Sequence, residues 1–288
     1  MQFRDLGWLV TLADVGHMTD AAAVLRTSQP TLSRALARVE AELDARLFER
    51  VPSGLHTTPA GRKAVEAARD LTARYQRLRR DLAADVDPDG GVVRLAFLDS
   101  IATSLVPRVL GAVHVAAPGL RVELAQEPGH EILADLDRGE ADLAILSPEP
   151  EGGYGWLGLQ EERLALVVPP RHRLAGRDRV ALSELEGEEM VTAPEGFGYR
   201  RLVDGLLRET GVSTVVSFQS QDLATIEGLV AAGLGVAILP ETFAGASGST
   251  GVRITTPGAR RTIGLAWRTD RDLSPPVLRF RDLVRERF

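Results

Sequence analysis

The stretch Gly16-His17-Met18-Thr19-Asp20-Ala21-Ala22-Ala23-Val24-Leu25-Arg26-Thr27-Ser28-Gln29-Pro30-Thr31-Leu32-Ser33-Arg34 decides the reading of this 288-residue chain. Gly16 stops a preceding helix whose apolar positions Phe3, Leu6, Val10 and Ala13 recur at helical spacing. Thr19 is suited to cap the short Ala-rich run Asp20–Leu25. Ser28 or Gln29 then caps a third helix, with Pro30 in its first turn, where a missing N–H costs nothing. On that helix Leu32, Leu36, Val39 and Leu43 form the expected buried stripe, and Thr31, Arg34, Ala35 and Arg38 fall on the opposite face. A short helix, a tight turn and a helix offering Gln29, Thr31, Ser33 and Arg34 from its first turns suit a recognition helix in the major groove of DNA.

Downstream, Leu47-Phe48-Glu49-Arg50 and Leu55-His56-Thr57-Thr58 can pair across Pro52-Ser53-Gly54 as a small β-wing. From residue 59 one long helical pattern follows. Within it Ala64, Ala68, Leu71, Tyr75, Leu78 and Leu82 alternate steps of four and three, a heptad seam that favours pairing with a second copy. Asp87-Pro88-Asp89-Gly90-Gly91 reads as a turn-forming linker.

Beyond the linker, short apolar runs at Val92–Leu98, Arg121–Ala125, Leu143–Leu146, Leu164–Val168, Met190–Thr192, Val215–Phe218 and Val236–Leu239 alternate with helical patterns. The helices are expected from about Ile101 to Ala116, kinked or restarted at Pro107, and over 130–138, 199–209 and 222–232. Alternation of this kind implies α/β sheets with ligand crevices at the strand ends. The runs 164–168 and 262–267 are expected to cross between two subdomains as a hinge. Ser100 and Thr103 stand where the first strand gives way to a helix, a place where free N–H groups favour an anion.

Bulk properties narrow the function classes. Residues 1–86 hold 13 Lys+Arg against 11 Asp+Glu and the remainder 21 against 29, so a slightly basic front end sits within a chain of net charge −6. There is no cysteine, hence no disulfide, thiolate metal site or thiol switch. The longest apolar run, Leu229 to Leu239, is too short for a membrane span, and the start of the sequence does not read as a secretory signal. Cytoplasmic residence follows as the expectation.

Catalytic patterns are incomplete. Gly233-Leu234-Gly235 lacks a third glycine, and Gly245-Ala246-Ser247-Gly248-Ser249 lacks the closing glycine of a nucleophile elbow. His130-Glu131 has no second histidine at metalloprotease spacing, and the five histidines show no metal-ligand spacing. No enzyme, cofactor or metal is expected.

The stretch 16–34 resembles the helix-turn-helix of LysR-type transcriptional regulators. So do Leu43 with Leu47-Phe48-Glu49-Arg50, Thr58-Pro59-Ala60-Gly61, Pro118-Gly119-Leu120-Arg121-Val122, Gly139-Glu140-Ala141-Asp142-Leu143-Ala144-Ile145 and Leu229 to Pro240. The resemblance covers essentially the whole chain in the family's order. It implies an α+β multidomain protein: a winged helix-turn-helix over 1–58, a linker and dimerisation helix over 59–89, and an α/β effector domain like a periplasmic binding protein over 90–288. Subdomain I is expected at about 90–161 and 268–288, and subdomain II at about 162–267.

By the same resemblance Gln29, Pro30, Thr31, Ser33 and Arg34 match positions that meet DNA, with Ser28, Arg38, Arg50 and His56 beside them. Wings of this family often carry Arg or Lys after the Phe-Glu-Arg element. Here Val51-Pro52-Ser53-Gly54-Leu55 is uncharged, so Arg50 and His56 are the remaining wing candidates. The effector is implied beside Ser100, Ile101 and Thr103, lined also by Ser147, Glu195, Gly196, Phe197 and Gln221. The function implied is a regulator that binds and bends promoter DNA under the control of a small molecule. It would read an inverted repeat as a homodimer or homotetramer and work with RNA polymerase. The alternative is a cytoplasmic small-molecule-binding protein with no regulatory role at DNA.

Overall fold

The computed structural model describes residues 1–52, 54–86 and 91–288. Ser53 at the wing tip and residues 87–90 of the expected linker lie outside them. The chain divides into two compact units, Met1–Leu82 and Ala83–Phe288.

The first unit contains α1 (Phe3–Val15), α2 (Met18–Val24), α3 (Gln29–Glu42), β1 (Phe48–Val51), β2 (Gly54–Thr57) and the start of α4 (Pro59–Val86). Gly16 ends α1 in the left-handed region at φ 70°, where a side chain would be strained, and its N–H donates to the Leu12 carbonyl. α2 starts two residues earlier than a Thr19 cap would place it. Its N-cap is His17, without a side-chain cap, so Thr19 lies inside the helix. α3 starts as expected, with Ser28 Oγ accepting from the Thr31 N–H at 3.3 Å.

The core holds Leu6, Leu9, Leu12, Ala21, Leu32, Leu36, Val39, Leu47, Phe48 and Leu55. Two positions differ from the expected stripe. Leu43 is exposed because α3 has ended at Glu42 and the periodicity no longer applies, whereas Ala35, expected on the opposite face, is buried. β1 and β2 pair antiparallel, Phe48 opposite Thr57 and Arg50 opposite Leu55. The Glu40 carboxylate accepts from the Leu47 and Phe48 N–H groups at 2.7 and 3.2 Å, tying the wing to α3. Thr58 Oγ1 donates to the Arg46 carbonyl and accepts from the Gly61 N–H, and a Cβ at Gly61 would stand 1.9 Å from Leu47 O. The Thr58-Pro59-Ala60-Gly61 motif is thus a helix start pressed against the wing.

The second unit holds β3 (Gly91–Phe97), α5 (Leu105–Ala116), β4 (Leu120–Gln126), α6 (Gly129–Arg138), β5 (Leu143–Leu146) and β6 (Tyr154–Val168). They are followed by β7 (Arg179–Val180), β8 (Glu189–Thr192), α7 (Gly198–Glu209), β9 (Val215–Gln219), α8 (Leu223–Ala231), β10 (Ala237–Pro240), β11 (Thr250–Ile254), β12 (Arg260–Arg268) and α9 (Pro275–Arg287). The strand order is β4-β3-β5-β12-β6-β11-β7, with β10 also on β6 and a separate parallel pair β8-β9. β6 and β12 run antiparallel along their length. The far end of β6 then pairs with β10 and β11.

The two long strands therefore join two layered halves. One half centres on Val93, Leu95, Val109, Ile145 and Phe280, the other on Leu166, Leu185, Met190, Val203 and Val252. The expected crossing strands are present, and both are longer than the apolar runs that suggested them. Ile263, Leu265 and Ala266 pack in the first half, so the crossing on β12 lies before Ile263 and not at 267. The helix expected from Ile101 is instead a single 3₁₀ turn at Asp99–Ile101 followed by α5 from Leu105. Pro107 falls in the first turn of α5, where no N–H is required.

Candidate DNA-reading face and effector cavity

Ser28, Gln29, Pro30 and Arg34 are exposed at the start of α3, with Thr31 and Ser33 partly exposed beside them. Ser28 Oγ lies 2.8 Å from Thr31 Oγ1, and Arg34 Nε donates back to the Pro30 carbonyl at 3.2 Å. The helix start thus carries hydroxyls, an amide and a guanidinium on one surface, with the free N–H groups of the first turn attractive to phosphate. A groove of about 540 Å³ between α3 and the wing has Ser33 and Arg50 on its walls, so these two expected residues share one surface. His56 is exposed on β2 opposite Glu49.

Arg38 is engaged within the protein. Its Nη2 donates to both oxygens of Asp5 at 2.9 and 2.8 Å, and Asp5 is only 1% exposed. Burial pushes the Asp5 carboxyl up. The hydrogen bonds from the Gln2 N–H and Arg38, with the charges of Arg38 and Arg4, outweigh burial and hold it below its ordinary value. Arg38 thereby fixes α3 to α1.

The heptad seam divides in two. Ala68 is fully buried in the first unit's own core and so is not available to a second chain, while Ala64 is partly buried against that core. Leu71, Tyr75, Leu78 and Leu82 are exposed large apolar side chains, and the Phe3 ring lies against Tyr75 with centroids 4.5 Å apart.

In the second unit a cavity of about 280 Å³ opens between the two halves. Ser100, Ser147, Phe197 and Gln221 line it, as expected. Four expected residues do not. Ile101 is buried in the first half's core, and Thr103, Glu195 and Gly196 are exposed outside the lining. The 3₁₀ turn at Asp99–Ile101 is also too short to supply the helix N-terminus on which the expected anion preference rested.

Nothing in the sequence expectations marks Arg261, Tyr199, Asp99 or Asp222, all in the lining. Arg261 stands on β12 directly opposite Glu162 on β6, and Nε and Nη2 lie 2.8 and 2.7 Å from the Glu162 carboxylate. Arg261 Nη1 donates to Ser100 Oγ at 3.2 Å, and the guanidinium carbon lies 5.6 Å from the Tyr199 ring centre. Tyr199 donates to the Ile238 carbonyl at 3.0 Å, and burial pushes its phenol up. Asp222 caps α8, accepting from the Ala224 and Thr225 N–H groups. Asp99 accepts from Gln126, and burial together with the Asp222 charge pushes its carboxyl up.

Residues 87–288 match the model of the LysR substrate binding domain, and residues 3–62 match that of the bacterial regulatory helix-turn-helix protein of the lysR family. This chain belongs to the LysR family. A relative from Bacillus subtilis, the uncharacterized HTH-type transcriptional regulator YybE, is 33% identical over 100% of this chain and 99% of its own length. The transcriptional dual regulator GltC of Bacillus subtilis is 31% identical over 100% and 98%. Among solved structures, the LysR-family regulator CbnR is similar with a TM-score of 0.78 at 24% identity, covering 99% of both chains. Its full-length complex with target DNA gives 0.77. As a LysR-family protein the chain is a DNA-binding transcription regulator with a small-molecule effector domain, and the family is not enzymatic. Among the described residues no helix is long and apolar enough to cross a membrane.

Proposed function

We propose that the chain acts as a dimer or higher homo-oligomer paired through the exposed part of the α4 seam, and that it reads the two halves of an inverted-repeat promoter site with paired copies of α3. Ser28, Gln29, Pro30, Thr31, Ser33 and Arg34 supply the reading face, with Arg50 and His56 on flanking phosphates. An effector in the cavity draws the two halves of the second unit together about β6 and β12, resets the spacing of the paired DNA-binding units, and so changes DNA bending and access of RNA polymerase. The location is the cytoplasm, where promoter DNA is.

One observation carries this reading: the cavity takes its walls from both halves, Ser100 and Ser147 from one and Phe197 and Asp222 from the other, and the two long strands β6 and β12 continue between them. A ligand that prefers the closed arrangement supplies coupling between the sites, typically about 1–3 kcal/mol. A relative from Dickeya chrysanthemi, 31% identical, is named a hydrogen peroxide-inducible genes activator. This chain has no cysteine, so its own signal does not act on a thiol.

The purified chain should retard a fragment of its own upstream region at low salt, and a cavity ligand should alter the length of its footprint. Failure to retard any such fragment, with or without cell metabolites, would overturn the reading.

A further inference from the structure

The groove between α3 and the wing holds two arginines that the chain does not use for its own packing. Arg46 and Arg50 lie on its walls beside Ser33 of α3 and Thr58 at the start of α4. Both arginines are exposed, and among the described residues neither guanidinium takes part in an ion pair or a hydrogen bond.

The backbone around Arg46 is fixed from two sides. Its carbonyl accepts from Thr58 Oγ1 at 2.6 Å, and the N–H of the next residue, Leu47, donates to the Glu40 carboxylate at 2.7 Å. The turn before β1 is therefore tied to both α4 and α3, and it presents the Arg46 side chain from a set position. Thr58 Oγ1 also accepts from the Gly61 N–H at 2.9 Å, so the first turn of α4, with the positive end of its dipole, opens at the same groove.

Each groove of a DNA duplex is bounded by sugar–phosphate strands. A helix in the major groove and a ribbon over the neighbouring minor groove have one such strand between them. The wing tip Val51-Pro52-Ser53-Gly54-Leu55 has no charge with which to hold phosphate, whereas the wing root has two unpaired cations beside the path of that strand.

We propose that the groove seats one phosphodiester strand of the DNA and that Arg46, at the root of the wing, is a principal phosphate contact. This rests on α3 being the reading helix. A guanidinium offers a planar fork of N–H donors that matches phosphate oxygens. Arg46 follows the end of α3 at Glu42, so it meets the strand beside the major groove and not the base edges within it. Of the two acids in the lining, Glu40 is committed to the Leu47 and Phe48 N–H groups. Glu49 is left to oppose the strand.

Fluorescence anisotropy of the full chain on a fragment of its own upstream region and on a scrambled fragment, over a range of salt, tests this. Arg46→Ala should weaken both alike, by about tenfold at low salt. It should also lower the slope of log affinity against log salt by about 0.9 for each bound copy. Arg46→Lys keeps the charge and should restore the slope and most of the affinity. Glu49→Gln should tighten both fragments. Arg46 and Glu49 are exposed, so far-UV circular dichroism should match the wild type in every variant. An unchanged slope in Arg46→Ala overturns the proposal, and so does a loss confined to the upstream fragment, which would make Arg46 a base reader. Arg46→Lys as weak as Arg46→Ala, or weaker binding by Glu49→Gln, overturns it too. The reading of α3 is judged separately with Arg34→Ala. Loss there and none in Arg46→Ala keeps α3 at the DNA and empties the groove, whereas the opposite result keeps the strand in the groove and takes Arg34 out of the interface.

Discussion

Arg261 on β12 and Glu162 on β6 form a buried ion pair at the crossing of the two strands, with Nη2 2.7 Å from the carboxylate and side chains 2% and 8% exposed. Because Arg261 also donates to Ser100, this pair connects the hinge to the cavity wall. A buried pair of this kind is costly to break on one side only, since the remaining charge is left without a partner. Glu162→Gln should therefore lower the stability of the second unit by about 3 kcal/mol. The double change Glu162→Leu with Arg261→Met, which removes both charges, should recover most of that loss. Thermal unfolding followed by circular dichroism decides it, and a single variant that melts like the wild type would mean that the pair is solvated.

Ser100→Leu should abolish the response to effector while leaving promoter binding intact. The substitution fills the cavity beside Arg261 and removes the hydroxyl that accepts from it, but touches nothing in the first unit's core. A reporter assay reads the response and a gel shift reads the binding. A full response in the variant would remove Ser100 from the ligand's surroundings.

Arg34→Ala should weaken binding to the promoter site by about 1–3 kcal/mol if the guanidinium contacts a base edge. The helix itself should be unaffected, because Arg34 is exposed and its hydrogen bond returns to its own helix at Pro30. Gel shifts on cognate and scrambled fragments separate the two modes. A loss confined to the cognate fragment indicates base reading, and an equal loss on both indicates phosphate contact. Unchanged affinity would take Arg34 out of the interface.

Asp5 and Arg38 should govern the acid stability of the first unit. The Asp5 carboxyl is held below its ordinary value of 3.8, so it contributes stability that is present above that value and lost as pH falls through the lowered one. Arg38→Ala removes two charge-assisted hydrogen bonds and should cost about 2 kcal/mol at neutral pH. The difference from wild type should vanish once Asp5 is protonated. Urea unfolding of the chain across acidic pH measures both effects, and an Arg38→Ala loss that persists unchanged into strong acid would assign the effect to packing.

Much of the first unit is legible in the sequence because its signals are local. Gly16 and Ser28 act within one turn of their own backbone, and the stripe Leu32, Leu36 and Val39 sits within a single helix. The errors there come from extending a period beyond its helix, as at Leu43. The cavity is half legible for the opposite reason. Ser100, Ser147 and Gln221 stand at the ends of elements whose apolar runs are recognisable, whereas Arg261 enters through strand pairing with Glu162, 99 residues away, and meets Ser100 across 161 residues. Asp99 and Asp222 come to line one cavity only when the two halves face each other. No local pattern encodes those approaches.

The α4 seam gives the sharpest separation between folding and assembly. Ala68 is fully buried within its own chain, whereas Leu78 and Leu82 stand 53% and 58% exposed on the same helix. Removing such apolar surface from water is favourable by about 25 cal/mol per Å², so covering these side chains with a second copy would stabilise the proposed paired helix. Ala68→Asp should unfold the first unit, visible as lost helical signal. Leu78→Asp should leave that signal intact, convert the chain to a monomer by analytical ultracentrifugation, and reduce promoter affinity by well over tenfold through loss of the second half-site. A Leu78→Asp protein that stays dimeric and binds DNA normally would place the interface elsewhere, while a Leu78→Asp protein that unfolds would show that the exposed seam supports its own chain after all.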